Sequence, residues 1–295
     1  MSCNWGSIWE DFRFWRRNWP SQHFDTPGTL AAPLLARWLI RTARDFGCTT
    51  IVEIGFGNGH IQTEIARLAP TLTRIGVDIR PAPGLECRQL IQEWDTSSGQ
   101  WLTCSEDSGL GAVLRDFDQP VLAFAVEWLD DLVGEIAHRD ARGDLRTLGP
   151  SGLLAALGSA DAAWAAQWWP QPGTLTVGRT RDAAWSWLAR HLPPRSMLAT
   201  IDYGHVVTDR PADGGFLAHR DGRSVPPEEG ANLTASVAVD SLAAAVEMIG
   251  CERLACARLA ELPKDHWAWP TDDPLTTLAL RSQEQLLRDP RRFGH

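Results

Sequence analysis

Three glycines in strict alternation, Gly55-Phe56-Gly57-Asn58-Gly59, follow directly on the run Thr50-Ile51-Val52-Glu53-Ile54. The run reads as a strand, and Ile61, Ile65 and Leu68 beyond the glycines stand at helical spacing. Such a joint has a chemistry of its own. Glycine lets the backbone turn sharply and lets a ligand approach with no Cβ in the way, and the amides at the helix start then face that ligand. A dinucleotide fingerprint requires Gly-x-Gly-x-x-Gly. Here residue 60 is His and the glycines simply alternate, with the acid Glu53 just ahead of them. That form is typical of S-adenosylmethionine sites. A second acid, Asp78, closes the next strand, Arg74-Ile75-Gly76-Val77-Asp78, 19 residues after Gly59. A carboxylate there accepts ribose hydroxyls. The expected cofactor is S-adenosyl-L-methionine, held by Glu53, Gly55, Phe56, Gly57, Gly59, Asp78 and Ile79. The competing reading is a glycine turn that only closes a strand–helix joint.

Methyl transfer from a sulfonium is an in-line displacement from an activated leaving group. The protein supplies position and a dry pocket, and a base where the nucleophile starts protonated. Glu127 and Asp130 follow the apolar strand Val121–Ala125 and are expected at the start of a helix, on one face. Open α/β sheets place their sites at the carboxyl ends of strands. Asp202, Tyr203 and His205 close another strand, Met197–Asp202, at the same rim, and Tyr203 is the only tyrosine. The candidate catalytic residues are therefore Glu127, Asp130, Tyr203 and His205. A carboxylate pair also suits a guanidinium, through bidentate hydrogen bonds. Structural readings compete at each position: Glu127 as a helix cap, Asp130 solvated, Asp202 tying down a loop, His205 on the surface. His60 reads as a helix-start residue. The remaining histidines show no metal-ligand spacing, so no metal site is expected.

The elements that must position these groups alternate. Strands are expected at 50–54, 74–78, 89–94, 121–125 and 197–202, with helices at 29–46, after Gly59, near 108–117 and at 240–249. That alternation indicates an α/β, Rossmann-like fold: a mostly parallel sheet, of the seven-stranded type found in class I methyltransferases, with helices on both faces. Trp9, Phe12, Trp15 and Trp19 are spaced as one helical face that Pro20 would end. Residues 1–28 thus form an aromatic arm, either capping the main domain or serving as a lid over the pocket. Residues 29–134 are the cofactor-binding core. Residues 135–195 break the rhythm and read as a helical insertion, with helices at 161–169 and 181–191. Its tryptophans (164, 168, 169, 185 and 187) are core packing, or an aromatic wall for a cation or an aromatic substrate. Residues 196–295 complete the sheet, with a hairpin or loop at 206–231, a strand at 251–257 and a last helix opened by Asp273-Pro274.

Composition sets the class. The 295 residues are 44% hydrophobic and 22% charged, ordinary globular usage. No apolar run reaches the ~20 residues of a membrane span. Net charge is −9, and Lys264 is the only lysine. Phosphate backbones need clustered cations, so no nucleic-acid partner is expected. The first residues lack a basic segment followed by an apolar one, and a cytoplasmic location is expected. The six cysteines, at 3, 48, 87, 104, 251 and 256, show no two-residue gap and read as reduced, mostly buried thiols.

Over residues 22–290 the chain resembles the MidA-type family of S-adenosylmethionine-dependent methyltransferases, and most of all its shorter actinobacterial branch. That family is related to the mitochondrial assembly factor that methylates an arginine of respiratory complex I. The likeness rests on His23-Phe24-Asp25-Thr26 with Ala32-Pro33-Leu34, on Val52–Gly59, and on Glu127-Trp128-Leu129-Asp130-Asp131. It continues in Ile201-Asp202-Tyr203-Gly204-His205, Phe216–Arg220 and Asn232-Leu233-Thr234-Ala235. The resemblance implies that Thr26 and His23 line the methionine end of the cofactor. Three departures fall on the substrate side. Val126 stands where the family has Asn, Asn232 and Ser236 replace its late acid and histidine, and a strand usual after the last helix has no counterpart. The expected activity is methyl transfer to nitrogen or oxygen of a protein side chain, arginine included, or of a small molecule, by a monomer or homodimer. The alternatives are a tailoring enzyme for a natural product or peptide, and a cofactor-binding assembly factor without turnover.

Overall fold

The computed structural model describes residues 4–18, 28–103, 109–220 and 223–254. At its centre is a six-stranded sheet built from β1 (Thr50–Ile54), β2 (Thr73–Asp78), β3 (Arg88–Asp95), β4 (Gln100–Thr103), β5 (Val121–Val126) and β10 (Met197–Ile201). Their order is β10-β5-β1-β2-β3-β4, parallel throughout except for β4, which returns antiparallel to β3. The fold is the expected Rossmann-like one. The described sheet holds six strands and not the expected seven.

The period of two along each strand decides which helices pack where. Val52 and Ile54 point to one face with Ile75, Val77, Leu90 and Ala123, under α5 (Leu110–Arg115), α7 (Arg179–His191) and α8 (Val239–Glu247). Ile51, Leu122 and Phe124 point to the other, under α3 (Gly28–Asp45) and α4 (His60–Leu68). Burial on both faces makes β1 apolar except at Thr50 and Glu53.

The insertion departs from expectation. Helices α6 (Ser159–Trp168) and α7 are present, but a four-stranded antiparallel sheet accompanies them: β6 (Ile136–Arg139), β7 (Leu145–Gly149), β8 (Gly152–Ala156) and β9 (Gly173–Thr176), in the order β8-β7-β6-β9. The strands are four or five residues long, and a bulge between Arg146 and Leu148 breaks the alternation. Trp164 of α6 and Trp169 just beyond it form a core of their own with Leu157 and Leu175, whereas Trp185 of α7 is buried in the core of the main sheet. A further hairpin, β12 (Phe216–Arg220) with β13 (Arg223–Val225), pairs with β14 (Asn232–Ala235). Two short parallel strands, β11 (Gly204–His205) and β15 (Val237–Ala238), join this lobe to the main sheet. Residues 251–254 are not a strand, and the expected last helix lies outside the described residues, as do Cys3, Cys104 and Cys256.

The arm is two helices, not one. α1 (Trp5–Asp11) is capped by Asn4, whose Oδ1 accepts the amide of Ser7 at 2.6 Å. α2 (Phe14–Arg17) follows after Phe12 and Arg13 leave helical geometry. The break turns Arg13 inward toward Glu10 and Glu93, and that inward turn divides what reads as a single amphipathic face. Trp5 and Trp9 pack on Phe216 with ring centroids 5.7 and 5.8 Å apart. Among the described residues no helix is long and apolar enough to cross a membrane.

Candidate functional site

A cleft opens at the carboxyl ends of β1, β2, β3 and β5, the place open α/β sheets reserve for ligands. Its floor is the glycine loop. Gly55, Gly57 and Gly59 have φ of 73°, 53° and 73°, a region L-residues with side chains avoid. Gly55 and Gly59 are also pressed by neighbours. A Cβ on Gly55 would come within 2.9 Å of Trp128 Cδ1, and one on Gly59 within 2.6 Å of Leu85 Cδ2. Gly57 differs, because a Cβ there would meet nothing within 4 Å. Its face is open to the cleft.

Two carboxylates flank that opening. Asp78 accepts the amide of Gly57 at 2.8 Å through Oδ2 and the amide of Ile79 at 2.7 Å through Oδ1. It therefore staples the loop, and with the Arg80 amide as a third donor it keeps a lone pair for a ligand. Burial pushes its carboxyl up to about 6, against the pull of the Gly57, Ile79 and Arg80 amides. Glu53 is buried beneath the loop. Its Oε2 has no hydrogen-bond partner, and burial holds the carboxyl well above the usual carboxylate range, with only Gln62 opposing. Phe56 folds down over Gly76, where a Cβ would come within 2.5 Å of its ring. All seven expected cofactor residues inside the described chain lie at this loop or at the end of β2. Thr26 and His23 lie outside the described residues.

The far wall comes from the segment after β5. No helix starts there, contrary to expectation: residues 127–132 form a turn. Glu127 sits at φ 47°, a costly conformation for a residue with a side chain. The turn is held from outside. Its Glu127 amide donates to Ile201 O at 2.9 Å, and Asp202 accepts the amides of Leu129 at 3.0 Å and of Tyr203 at 2.8 Å. Asp202 thus ties down a loop.

A turn sends neighbouring side chains apart, and this separates the four catalytic candidates. Glu127 lines the cleft. Tyr203 reaches it through a hydrogen bond to the Glu127 side chain, and burial with the negative charge of Glu127 and Asp130 pushes the phenol well above its usual range. Asp130 turns away. It is 6% exposed, its Oδ1 lacks a partner, and burial beside Asp202, Asp131 and Glu127 holds its carboxyl well above the carboxylate range, with Arg181 opposing. His205 also lies outside the cleft. Its Nδ1 is 2.6 Å from Arg210 Nη1 and its ring meets Trp169 edge-on at 4.9 Å; burial and the Arg210 charge drive it down to about 3. Asp130 and His205 therefore touch nothing bound in the cleft. The first sits in the buried Arg181 cluster, and the second packs a buried network.

Several lining residues were not among the expected site residues. Asp131, next to Asp130, faces the cleft, and so does Asn232 from β14. Glu93, Trp94 and Trp101 contribute from β3 and β4. Trp101 stacks on Trp128 with centroids 5.6 Å apart and planes 7° from parallel. Period-two reading of β3 puts Glu93 opposite the buried Gln92 and Trp94, so position 93 was legible as a rim residue. Nothing local marks Asp131.

The roof is the arm. Trp9, Phe14 and Trp15 line the cleft, and polar contacts fasten the arm to both rims. On one side, Arg16 Nε donates to both oxygens of Glu93 at 3.1 and 2.9 Å, and Thr96 donates to Glu10 at 3.0 Å. On the other, Trp15 Nε1 donates to Asp131 Oδ2 at 2.6 Å and Asn4 Nδ2 to Glu135 Oε2 at 3.2 Å. A buried strut backs the second rim: Arg181, 1% exposed, donates to the carbonyls of Leu132 at 3.1 Å, Ser236 at 3.2 Å and Asp130 at 3.4 Å.

The fold and cleft define an open α/β protein with a ligand crevice at the strand ends. Two solved structures from Burkholderia thailandensis share this fold. One is an uncharacterised COG1565 superfamily protein, 18% identical, with a TM-score of 0.63 over 100% of this chain and 85% of the other. The second, a member of that superfamily and a suggested methyl transferase bound to S-adenosyl-homocysteine, is 19% identical, with a TM-score of 0.58 over 90% of this chain and 74% of the other. No protein-family model and no curated protein matches the sequence.

Proposed function

We propose that the protein is an S-adenosylmethionine-dependent methyltransferase acting on a nitrogen or oxygen of a protein side chain or small molecule. One observation carries the reading. The Cβ-free face of Gly57 opens onto a cleft lined by Glu53, whose Oε2 has no partner, and by the carboxylate of Asp78. A nucleoside with an amino-acid tail suits this set. Asp78 accepts a ribose hydroxyl on its free lone pair, Ile79 gives the base an apolar face, and Glu53 gains a cationic partner for its buried oxygen. The homocysteine nucleoside in the second structural neighbour, of the same fold, supports the choice, as does the sequence resemblance to MidA-type methyltransferases.

When bound, S-adenosylmethionine supplies a methyl group on a positively charged sulfur. The chain's own residues do the rest. The roof of Trp9, Phe14 and Trp15 excludes water and narrows the entrance, which suits one side chain or a small molecule better than a broad surface. Glu127, held by Tyr203, presents a fixed carboxylate on the acceptor side.

Titration calorimetry against S-adenosylhomocysteine and NADH tests the reading. Heat with the first and none with the second is expected, and the reverse would remove the proposal. Transfer of a tritiated methyl group into lysate protein or into the small-molecule fraction then distinguishes the acceptor classes, and a chain that binds the nucleoside yet labels neither is a scaffold.

A further inference from the structure

We infer that Asp131 is the carboxylate that meets the methyl acceptor and receives the proton released by its attacking N–H or O–H, and that Trp15 of the arm positions it. The inference rests on the methyltransferase reading of the cleft. In the sequence the acid at the motif position is Asp130. The turn reverses the roles: Asp130 points into the Arg181 cluster, whereas Asp131 borders the cleft.

Its surroundings are those of a proton acceptor. From α2, Trp15 Nε1 donates to Oδ2 at 2.6 Å, which fixes the rotamer and leaves the other oxygen for a second bond. Arg13 faces it from the residue before α2, and Arg181 from α7. Asp202 faces it from beyond β10, and Glu127 and Asp130 share its own turn. Burial, with the negative charge of Asp202, pushes the Asp131 carboxyl up to about 7, while Trp15, Arg13 and Arg181 pull it down. A group balanced near neutrality both takes and releases a proton readily. In the transfer, the acceptor's lone pair forms the bond to the methyl carbon and the carbon–sulfur bond breaks, its pair going to sulfur. The acceptor's proton passes to Asp131 and then to solvent. Glu127 already accepts the Tyr203 hydroxyl on this wall, so the two carboxylates hold different partners.

The test needs no knowledge of the acceptor. S-adenosylmethionine carries a positive sulfur and S-adenosylhomocysteine does not. A carboxyl at the acceptor position must therefore feel the difference, losing its proton when the charged nucleoside binds. Calorimetry of both nucleosides between pH 5.5 and 8.5, in buffers of different ionisation enthalpy, reads this directly. Near pH 6.5 the methyl donor is expected to release about half a proton more than the homocysteine form, and its relative affinity to rise about fivefold or more with pH. Asp131→Asn, which still accepts from Trp15, should abolish both effects. Trp15→Phe removes a donor to the carboxylate, so the midpoint should move up by about half a pH unit or more, a shift that loss of packing alone does not produce. Equal proton release in wild type and Asp131→Asn, or an unmoved midpoint in Trp15→Phe, would overturn the assignment. No heat from wild type with either nucleoside would sink the methyltransferase reading, and this inference with it.

Discussion

Replacing Arg181 with methionine removes the strut behind the acceptor rim, and the cost should depend on pH. The side chain is 1% exposed and gives hydrogen bonds to three carbonyls, those of Leu132, Ser236 and Asp130. It also faces the carboxyls of Asp130, Asp202, Asp182 and Asp131. Removing one member of a buried charged set costs about 3–5 kcal/mol, and orphaned carbonyls account for about 1–3 kcal/mol each within such a total. The carboxyls soften the loss at low pH. Asp202, raised to about 6, and Asp131, raised to about 7, hold protons in the folded state that the unfolded chain has already given up. An acid with a raised folded pKa adds stability below its unfolded value, near 4, and that contribution disappears as pH climbs through the folded value. Without the guanidinium these values rise further, each unit adding about 1.4 kcal/mol to the difference between the ends of the range. The expected loss is about 3–5 kcal/mol at pH 8 and about 1–2 kcal/mol less at pH 5. Urea denaturation followed by circular dichroism at both pH values measures it, and at pH 8 the Tm should fall by about 6–10 °C. A loss under about 1 kcal/mol, or one equal at both pH values, would refute the buried-cluster account.

Three further outcomes follow from the cleft. Asp78→Ala frees the amides of Gly57 and Ile79 and removes the carboxylate proposed to accept the ribose, so S-adenosylhomocysteine affinity should fall about tenfold or more in calorimetry. Gly59→Ala places a Cβ at φ 73° against Leu85; a loss of about 1–3 kcal/mol in thermal unfolding is expected, and shortening Leu85 should recover the clash but not the strained dihedral. His205→Ala should lower the Tm by removing a buried ring that packs on Trp169 and contacts Arg210, yet keep nucleoside affinity within about twofold, since the ring lies outside the cleft.

What could be read from the sequence was local. Most strands of the main sheet show apolar runs, though not β4, which the sequence did not reveal, and the alternating glycines need positive φ that few other residues tolerate, so the loop and its flanking acids stood out. The four strands of the insertion did not. Ile136–Arg139 is four residues long, the next strand is bulged, and Gly152–Ala156 lies largely exposed, so none carries a clear period. The segment after β5 misled for another reason. Glu127 to Asp131 has the composition of a helix start, but Asp202, 75 positions beyond Glu127, captures the turn's amides and holds it open. A contact so distant in sequence leaves no trace in spacing. The same turn decides that Asp131 and not Asp130 faces the cleft, and one residue's error there moves a carboxylate from one side of the wall to the other.

Residues 4–18 look expendable on paper: an aromatic, arginine-studded arm ahead of the sheet. They are masonry instead. Trp9, Phe14 and Trp15 are ceiling, and Glu10, Arg13 and Arg16 are the ties that pin it. An expression clone trimmed to start at the long third helix would yield a protein whose crevice lacks its cover and whose Phe216 is bare. Poor binding by such a clone would report on the missing ceiling rather than on the site beneath it.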